Sequence, residues 1–400
     1  MKRTPRRHLH APQAQAVTFV ELFFDLVFVF AVTQVTSLTA ANLTWSGVAR
    51  SLLLFWLIWW AWTQFTWTLN PADTNHDAVR IVTLVATGAA FLMAASATLA
   101  FGADVFWFVV PYLVVRLLGL GLQVRIDYER GGTGEGTVYR WAGLSLVGLT
   151  LVLLGGCVDP PARNWIWLAA ILADLVAAAR GGSGQEWDIA PAHFSERHGL
   201  FVIIALGESL IVAAAAVSAE PRTGALIVDV IAALVVAGLL WWTYFGWLKE
   251  GLEHGLATVD ATKVGALARD AFSLGHFPLI CGIIAFAVAL EEIVHHPAHV
   301  PSGEVVAALG VATTLFVGFS AFSYWRATGH VLIARLAILA LTMLGLVAVS
   351  SLEPAWQLAV LALGLLAIVL VEGDGPDEVR SLHDRSDGAE GVGDLPLDDN

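Results

Sequence analysis

Charge is scarce in this chain: Asp, Glu, Lys and Arg make up 14% of its 400 residues, against about 25% in soluble domains. Cysteine is scarcer still. Cys157 and Cys281 stand far apart in apolar runs, outside any CxxC or Cys/His pattern, so neither a disulfide framework nor a zinc site is expected. No GxxxxGK[ST] or GxGxxG phosphate cradle occurs, and no GxSxG or HExxH. Their absence removes ATP-driven pumping by this chain and the commonest hydrolase schemes. The chain is therefore expected to be no enzyme and to need no cofactor. No basic stripe points to nucleic acid.

Apolar residues fill the space that charge leaves. They make up 57% of the sequence, and a mean hydropathy of +0.73 means that the apolar surface exceeds what one soluble core can hide. The expected fold class is all-α, a polytopic membrane helix bundle. At about 20 apolar residues per crossing, twelve spans can be drawn: 17–41, 48–69, 80–101, 105–124, 140–157, 164–179, 199–218, 224–248, 272–292, 303–325, 331–350 and 355–371. The basic start of the chain precedes an apolar run too long for a cleavable signal peptide, so the first span is expected to stay in place.

Orientation follows from the cations. With the N-terminus inside, the outer loops hold only Arg50, Arg163 and Arg222, and Arg116 and Arg335 fall within spans. Every other one of the 21 lysines and arginines is then on the inner side. This pattern predicts a multi-pass membrane protein with both termini in the cytoplasm. The tryptophans of the second span (Trp56, Trp59, Trp60, Trp62, Trp67) and of the eighth (Trp241, Trp242, Trp247) read as an inner-interface lipid belt.

A duplication is also legible. At an offset of 175, Phe19–Val20–Glu21 falls on Phe194–Ser195–Glu196, and at 182 Trp59–Trp60 falls on Trp241–Trp242. Six spans per half make the repeat parallel. The expected organisation is a basic cytoplasmic segment 1–16, a first six-helix half 17–179, a cytoplasmic connector 180–198, a second six-helix half 199–371, and a disordered acidic tail 372–400.

Ionisable groups inside the bilayer cost roughly 2.5–3.5 kcal/mol each by insertion scales and are normally paired or functional. Glu21 and Asp25, four residues apart, share a face of the first span. Like charges at that spacing favour one shared proton or cation; the other reading is that Glu21 caps a neighbouring helix or pairs with a loop arginine. Glu196, Arg197 and His198 precede the seventh span, and Glu208 lies within it between Gly207 and Ser209, which suit a close helix approach or a local break. Arg116, in the fourth span, needs a buried anion; Glu208, Asp25 and Asp174 are the candidates. His276 opens the ninth span. His295, His296 and His299 lack a clear fourth ligand and read as a solvated loop, so no metal is expected.

The strings ELFFDLVFVFAVTQ, SERHGLFVIIALGESLI and HFPLICGIIAFAVALE resemble the bacterial low temperature requirement protein A family, over about residues 12 to 370. The resemblance implies a multi-pass inner-membrane protein linked by name to growth in the cold, and it supplies no residue roles. Glu21, Asp25, Glu196, Arg197, His198 and Glu208 are the positions that match its charged motifs.

Three functions are open at this level, all with the lipid bilayer as a partner. A secondary transporter would join Asp25, Glu208 and Arg116 around a wet midplane cavity, binding a proton or small ion and a small solute. A lipid-handling protein for cold adaptation would offer headgroups a lateral groove beside Arg197 and His198. A non-catalytic scaffold would pair its charges directly, without a cavity.

Overall fold

The computed structural model describes residues 8–11, 16–131, 136–181, 187–297, 299–373 and 375. The expected basic segment lies mostly outside these residues, and the acidic tail lies outside them from 376 onward. Twelve helices match the twelve expected spans: α1 (Phe19–Ala40), α2 (Trp45–Leu69), α3 (Asp77–Ala95), α4 (Phe106–Glu129), α5 (Thr137–Gly156), α6 (Ala162–Gly181), α7 (Pro191–Ala219), α8 (Gly224–Phe245), α11 (His276–His295), α12 (Gly303–Thr328), α13 (Ile333–Ala348) and α14 (Pro354–Glu372). Two short helices, α9 (Leu248–Thr258) and α10 (Val264–Leu267), and a π-helical segment, Ala268–Leu274, lie between α8 and α11.

Among the described residues, ten stretches are long and apolar enough to cross a membrane, with Gly224–Thr258 and Val264–His295 each counting as one. The two expected crossings outside that set have plain reasons. α13 has only 16 residues, and α2 carries Thr63, Gln64, Thr66 and Thr68, all turned inward. The sixth and twelfth candidates are longer than their apolar runs, with 20 and 19 helical residues, about 30 Å at 1.5 Å per residue. Helices suit this environment because they satisfy their backbone internally. Their ends follow ordinary chemistry: Thr18 and Glu21 close a capping box on α1, and Gly329 ends α12 at φ 79°. Exposed Phe19, Trp45, Ile333 and Leu370 belong to a wide apolar outer surface, as lipid contact requires.

The neighbours of the first six helices recur in the second six. α1 packs on α2 and α3, α3 on α4, α4 on α5 and α2, and α5 on α6. Likewise α7 packs on α8 and α11, α11 on α12, α12 on α13 and on α9 below α8, and α13 on α14. One contact differs: α14 lies closely along α8, while α6 touches α2 only slightly. Between the halves, α1 and α7 run parallel and in register. Val17 N–H meets the Glu196 carboxylate, Glu21 meets Arg197, and Thr33 meets Glu208, at sequence separations of 179, 176 and 175. The smallest of these separations equals the first offset of the sequence repeat, 175.

Three expectations need correction. The connector is shorter than 180–198, because Pro191 at the first position lets α7 start early; Glu196, Arg197 and His198 are therefore within α7. That helix runs unbroken through Gly207, where an added Cβ would meet nothing within 4 Å, so this glycine serves neither close approach nor a break. The α2 tryptophans do not form a lipid belt: Trp59, Trp60 and Trp62 are buried, whereas Trp241 and Trp242 are exposed. Two of these indoles find acceptors at one residue, Trp59 at the Ser273 carbonyl (2.9 Å) and Trp67 at the Ser273 hydroxyl (2.9 Å).

Candidate functional site

Arg197 projects from α7 toward α1 and reaches both acidic residues of that helix. Its Nη1 donates to Glu21 Oε1 at 2.9 Å and its Nη2 to Asp25 Oδ1 at 2.7 Å. All three side chains are buried. Trp62 of α2 donates its Nε1–H to the same Asp25 Oδ1 at 2.8 Å, and the guanidinium stands 5.8 Å from the Trp62 ring centroid, within cation–π range. Glu21 Oε2 accepts from the Thr18 backbone N–H (2.9 Å) and hydroxyl (2.8 Å). The cap and the ion pair thus use opposite oxygens of one carboxylate.

His193, four residues before Arg197, places Nε2 2.9 Å from Glu21 Oε1. Its protonation follows from Asn70, whose Oδ1 accepts from the Ala190 N–H (2.8 Å) and whose Nδ2 donates to the Ala190 carbonyl (3.3 Å). That orientation turns Asn70 Nδ2 toward His193 Nδ1 at 3.0 Å. The imidazole nitrogen must accept there, so the ring carries its one hydrogen on Nε2 and is neutral. Two carboxylates therefore face one guanidinium, an excess of one negative charge in a buried place. Asp25 Oδ2 and Arg197 Nε are buried without partners, and His193 Nε2, though 2.9 Å from Glu21 Oε1, is not aligned for a hydrogen bond.

An aromatic layer adjoins this network. His198 donates Nδ1–H to the Phe194 carbonyl at 2.9 Å, its Nε2 has no partner, and its ring abuts Trp62 and His276. His276 donates Nδ1–H to the Ala271 carbonyl (3.0 Å) and accepts from the Tyr244 hydroxyl (2.7 Å). Ala271 lies in the π-helical segment, where the altered backbone ladder leaves a carbonyl free for a side chain; π-bulges often mark functional sites.

The other expected residues lie elsewhere. Arg116 pairs with Asp174 of α6, Nη2 to Oδ1 at 2.9 Å, and its Nη1 donates to the Tyr112 hydroxyl at 2.6 Å. Gln64 accepts from Arg116 Nε and donates to its carbonyl. This balanced pair is internal to the first half. Glu208 accepts from the Thr33 hydroxyl at 2.6 Å, well along both helices from Arg197. The expected meeting of Asp25, Glu208 and Arg116 at a wet midplane cavity is therefore not present; each has a nearer partner, and the Arg197 network lies toward the N-terminal ends of α1 and α7. Nor does a lateral groove open beside Arg197 and His198, both of which are fully enclosed. Glu196 accepts from the Val17 N–H at 3.4 Å. Among the described residues, no three or more His, Cys, Asp or Glu are grouped to hold a metal ion.

Other buried cations have packing roles. Arg335 of α13 binds Glu372 through Nε (2.8 Å) and Nη2 (2.5 Å). Arg163 donates to the carbonyls of Ala100, Gly102, Gly155 and Val158, tying together the loops after α3 and α5. A cavity of about 30 Å³ lies between α2, α5, α6 and the π-helical segment, lined by Trp60, Thr63, Gln64, Trp67, Trp141 and Trp187 among others. It has room for about two waters, and no residue of the Arg197 network lines it.

No solved structure matches this chain. A protein of Rhizobium meliloti (strain 1021), described there as uncharacterized, is 28% identical over 290 residues, 70% of this chain and 70% of that one. The sequence pattern of the bacterial low temperature requirement A protein matches residues 16–370, which span all twelve long helices up to the last turn of α14. The chain is a multi-pass membrane protein and belongs to that family.

Proposed function

We propose that this protein is a proton-coupled secondary transporter of the cytoplasmic membrane, with both termini inside, built as two parallel six-helix halves. The Glu21–Asp25–Arg197–His193 network is its coupling site. The observation that carries this reading is the excess carboxylate at the contact between halves. A buried unpaired charge costs several kcal/mol even after relaxation, so the network gains by binding a cation. A proton suits it better than a metal ion, because Asp25 Oδ2 is the single unpartnered carboxylate oxygen of the network, while both oxygens of the neighbouring Glu21 already accept from Arg197 and Thr18. A proton on Asp25 weakens its charge-assisted bond to Arg197 and so loosens the hold between α1 and α7. Coupling of this kind needs two packings of the halves with different proton affinity.

Scaffolding is the second reading, and the balanced Arg116–Asp174 and Arg335–Glu372 pairs favour it. Flux separates the two. Reconstituted protein under an imposed pH gradient is offered a panel of amino acids, organic acids and alkali cations. The wild type should accumulate a member of the panel, whereas Asp25→Asn should exchange it without accumulation. Equal accumulation by both proteins, or none by the wild type, overturns the proposal.

A further inference from the structure

Two lateral grooves open on the outer surface of the bundle, and their polar groups differ. The first, between α3 and α4, contains Arg125, but the neighbouring Glu129 already holds that guanidinium at 3.0 Å. A carboxylate at the mouth disfavours an anion. The second, of about 660 Å³, lies between α2, α6 and Phe277 of α11, where α6 stands away from α2. Its apolar wall includes Leu53, Leu168, Ile171 and Phe277, and half-exposed Leu52 and Trp165 show that it opens sideways.

The mouth of this second groove has chemistry without partners. Arg50 has no carboxylate within ion-pair distance among the described residues, and its guanidinium rests 5.8 Å from the Phe101 ring centroid. Asn164 Oδ1 is a buried acceptor with no donor, and Trp56 Nε1 a buried donor with no acceptor. From Ser46 to Trp56 the groove follows ten residues of α2, about 15 Å at 1.5 Å per residue, the depth of one leaflet of a ~30 Å core. A cation at the mouth, an enclosed unpartnered acceptor and N–H donor beside the groove, and an apolar trough one leaflet long match a single class of molecule.

We propose that this groove binds an anionic phospholipid whose headgroup carries hydroxyls, as in phosphatidylglycerol, from the leaflet opposite the chain termini. The phosphate sits at Arg50, a headgroup hydroxyl donates to Asn164 Oδ1, an ester oxygen accepts from Trp56 Nε1, and one acyl chain lies along Leu53, Leu168 and Phe277. The site stands apart from the Arg197 network and does not depend on transport.

Native mass spectrometry of the full-length protein, with phosphatidylglycerol and phosphatidylcholine of identical chains, tests it. The wild type should retain phosphatidylglycerol about fivefold better, the effect of one basic side chain on an anionic lipid, and inorganic phosphate should not displace it. Arg50→Gln should abolish the preference and Asn164→Leu should reduce it, while Arg125→Gln keeps it. Equal retention of the two lipids by the wild type, an unchanged preference in Arg50→Gln, or a preference lost only in Arg125→Gln overturns the proposal.

Discussion

Glu21 and Asp25 face the same arginine, yet their amides should differ sharply in cost. Both Glu21 oxygens accept hydrogen bonds: Oε1 from Arg197, with His193 Nε2 2.9 Å away, and Oε2 from the Thr18 N–H and hydroxyl. In Glu21→Gln, whichever oxygen becomes NH2 meets at least one donor, and a charge-assisted bond is lost as well. A bond of that kind contributes about 1.5–3 kcal/mol and an unsatisfied buried donor costs about 1–3, so the loss should be about 3 kcal/mol. Asp25 uses Oδ1 alone, for Arg197 and Trp62, and Oδ2 has no partner. An amide with its oxygen in the Oδ1 position keeps both donors, and its nitrogen replaces an oxygen that is already buried without a partner, so one unsatisfied polar atom is exchanged for another. Removal of the excess charge offsets the weaker bond, so Asp25→Asn should change stability by less than about 1 kcal/mol. Reversible unfolding in mixed micelles, with helix content as the readout, compares the two. A loss in Asp25→Asn as large as that in Glu21→Gln would refute the donor accounting and the excess charge inferred from it.

The Arg116–Asp174 pair should behave as packing. Arg116→Met or Asp174→Leu alone should cost about 3–5 kcal/mol, and the double variant should regain most of that in the same unfolding assay; a double variant as unstable as the sum of the singles argues against direct pairing. At Gly282 an added Cβ would come within 2.7 Å of the Ala312 carbonyl oxygen and 2.8 Å of the Phe316 nitrogen. Gly282→Ala should therefore push α11 from α12 and cost about 1–3 kcal/mol, whereas Gly207→Ala, in open space, should be neutral; reversed effects would contradict the packing. Cys157 is exposed and Cys281 buried, so a membrane-impermeant maleimide should label intact cells through Cys157. Labelling only after the cells are opened would reverse the proposed orientation.

The crossings were legible because apolar run length is a one-dimensional property, and α6 and α14 exceeded the run only because their ends carry polar residues such as Arg180 and Glu372. The offset of 175 marked the duplication but not the contact: that α1 and α7 pair at this same separation, Thr33 with Glu208, is known only from the packing. The tryptophan offset of 182 foretold nothing about environment: Trp59 is enclosed and Trp241 exposed. Partner choice was the illegible part. A lone Arg116 fits any buried acid, and only packing selects Asp174 over Asp25 or Glu208. Tyr112, four residues before Arg116, and His193, four before Arg197, were within reach of a helical-spacing argument. Trp62, Asn70 and the π-helical segment were not, because their roles depend on long-range contacts that leave no local pattern.

Infrared difference spectra across a pH titration bear most directly on proton binding in the Arg197 network. The wild type should show a carboxylic-acid C=O band that comes and goes with pH, that is missing from Asp25→Asn and present in Glu208→Gln. Superimposable titration spectra for the wild type and Asp25→Asn would contradict a proton site at Asp25.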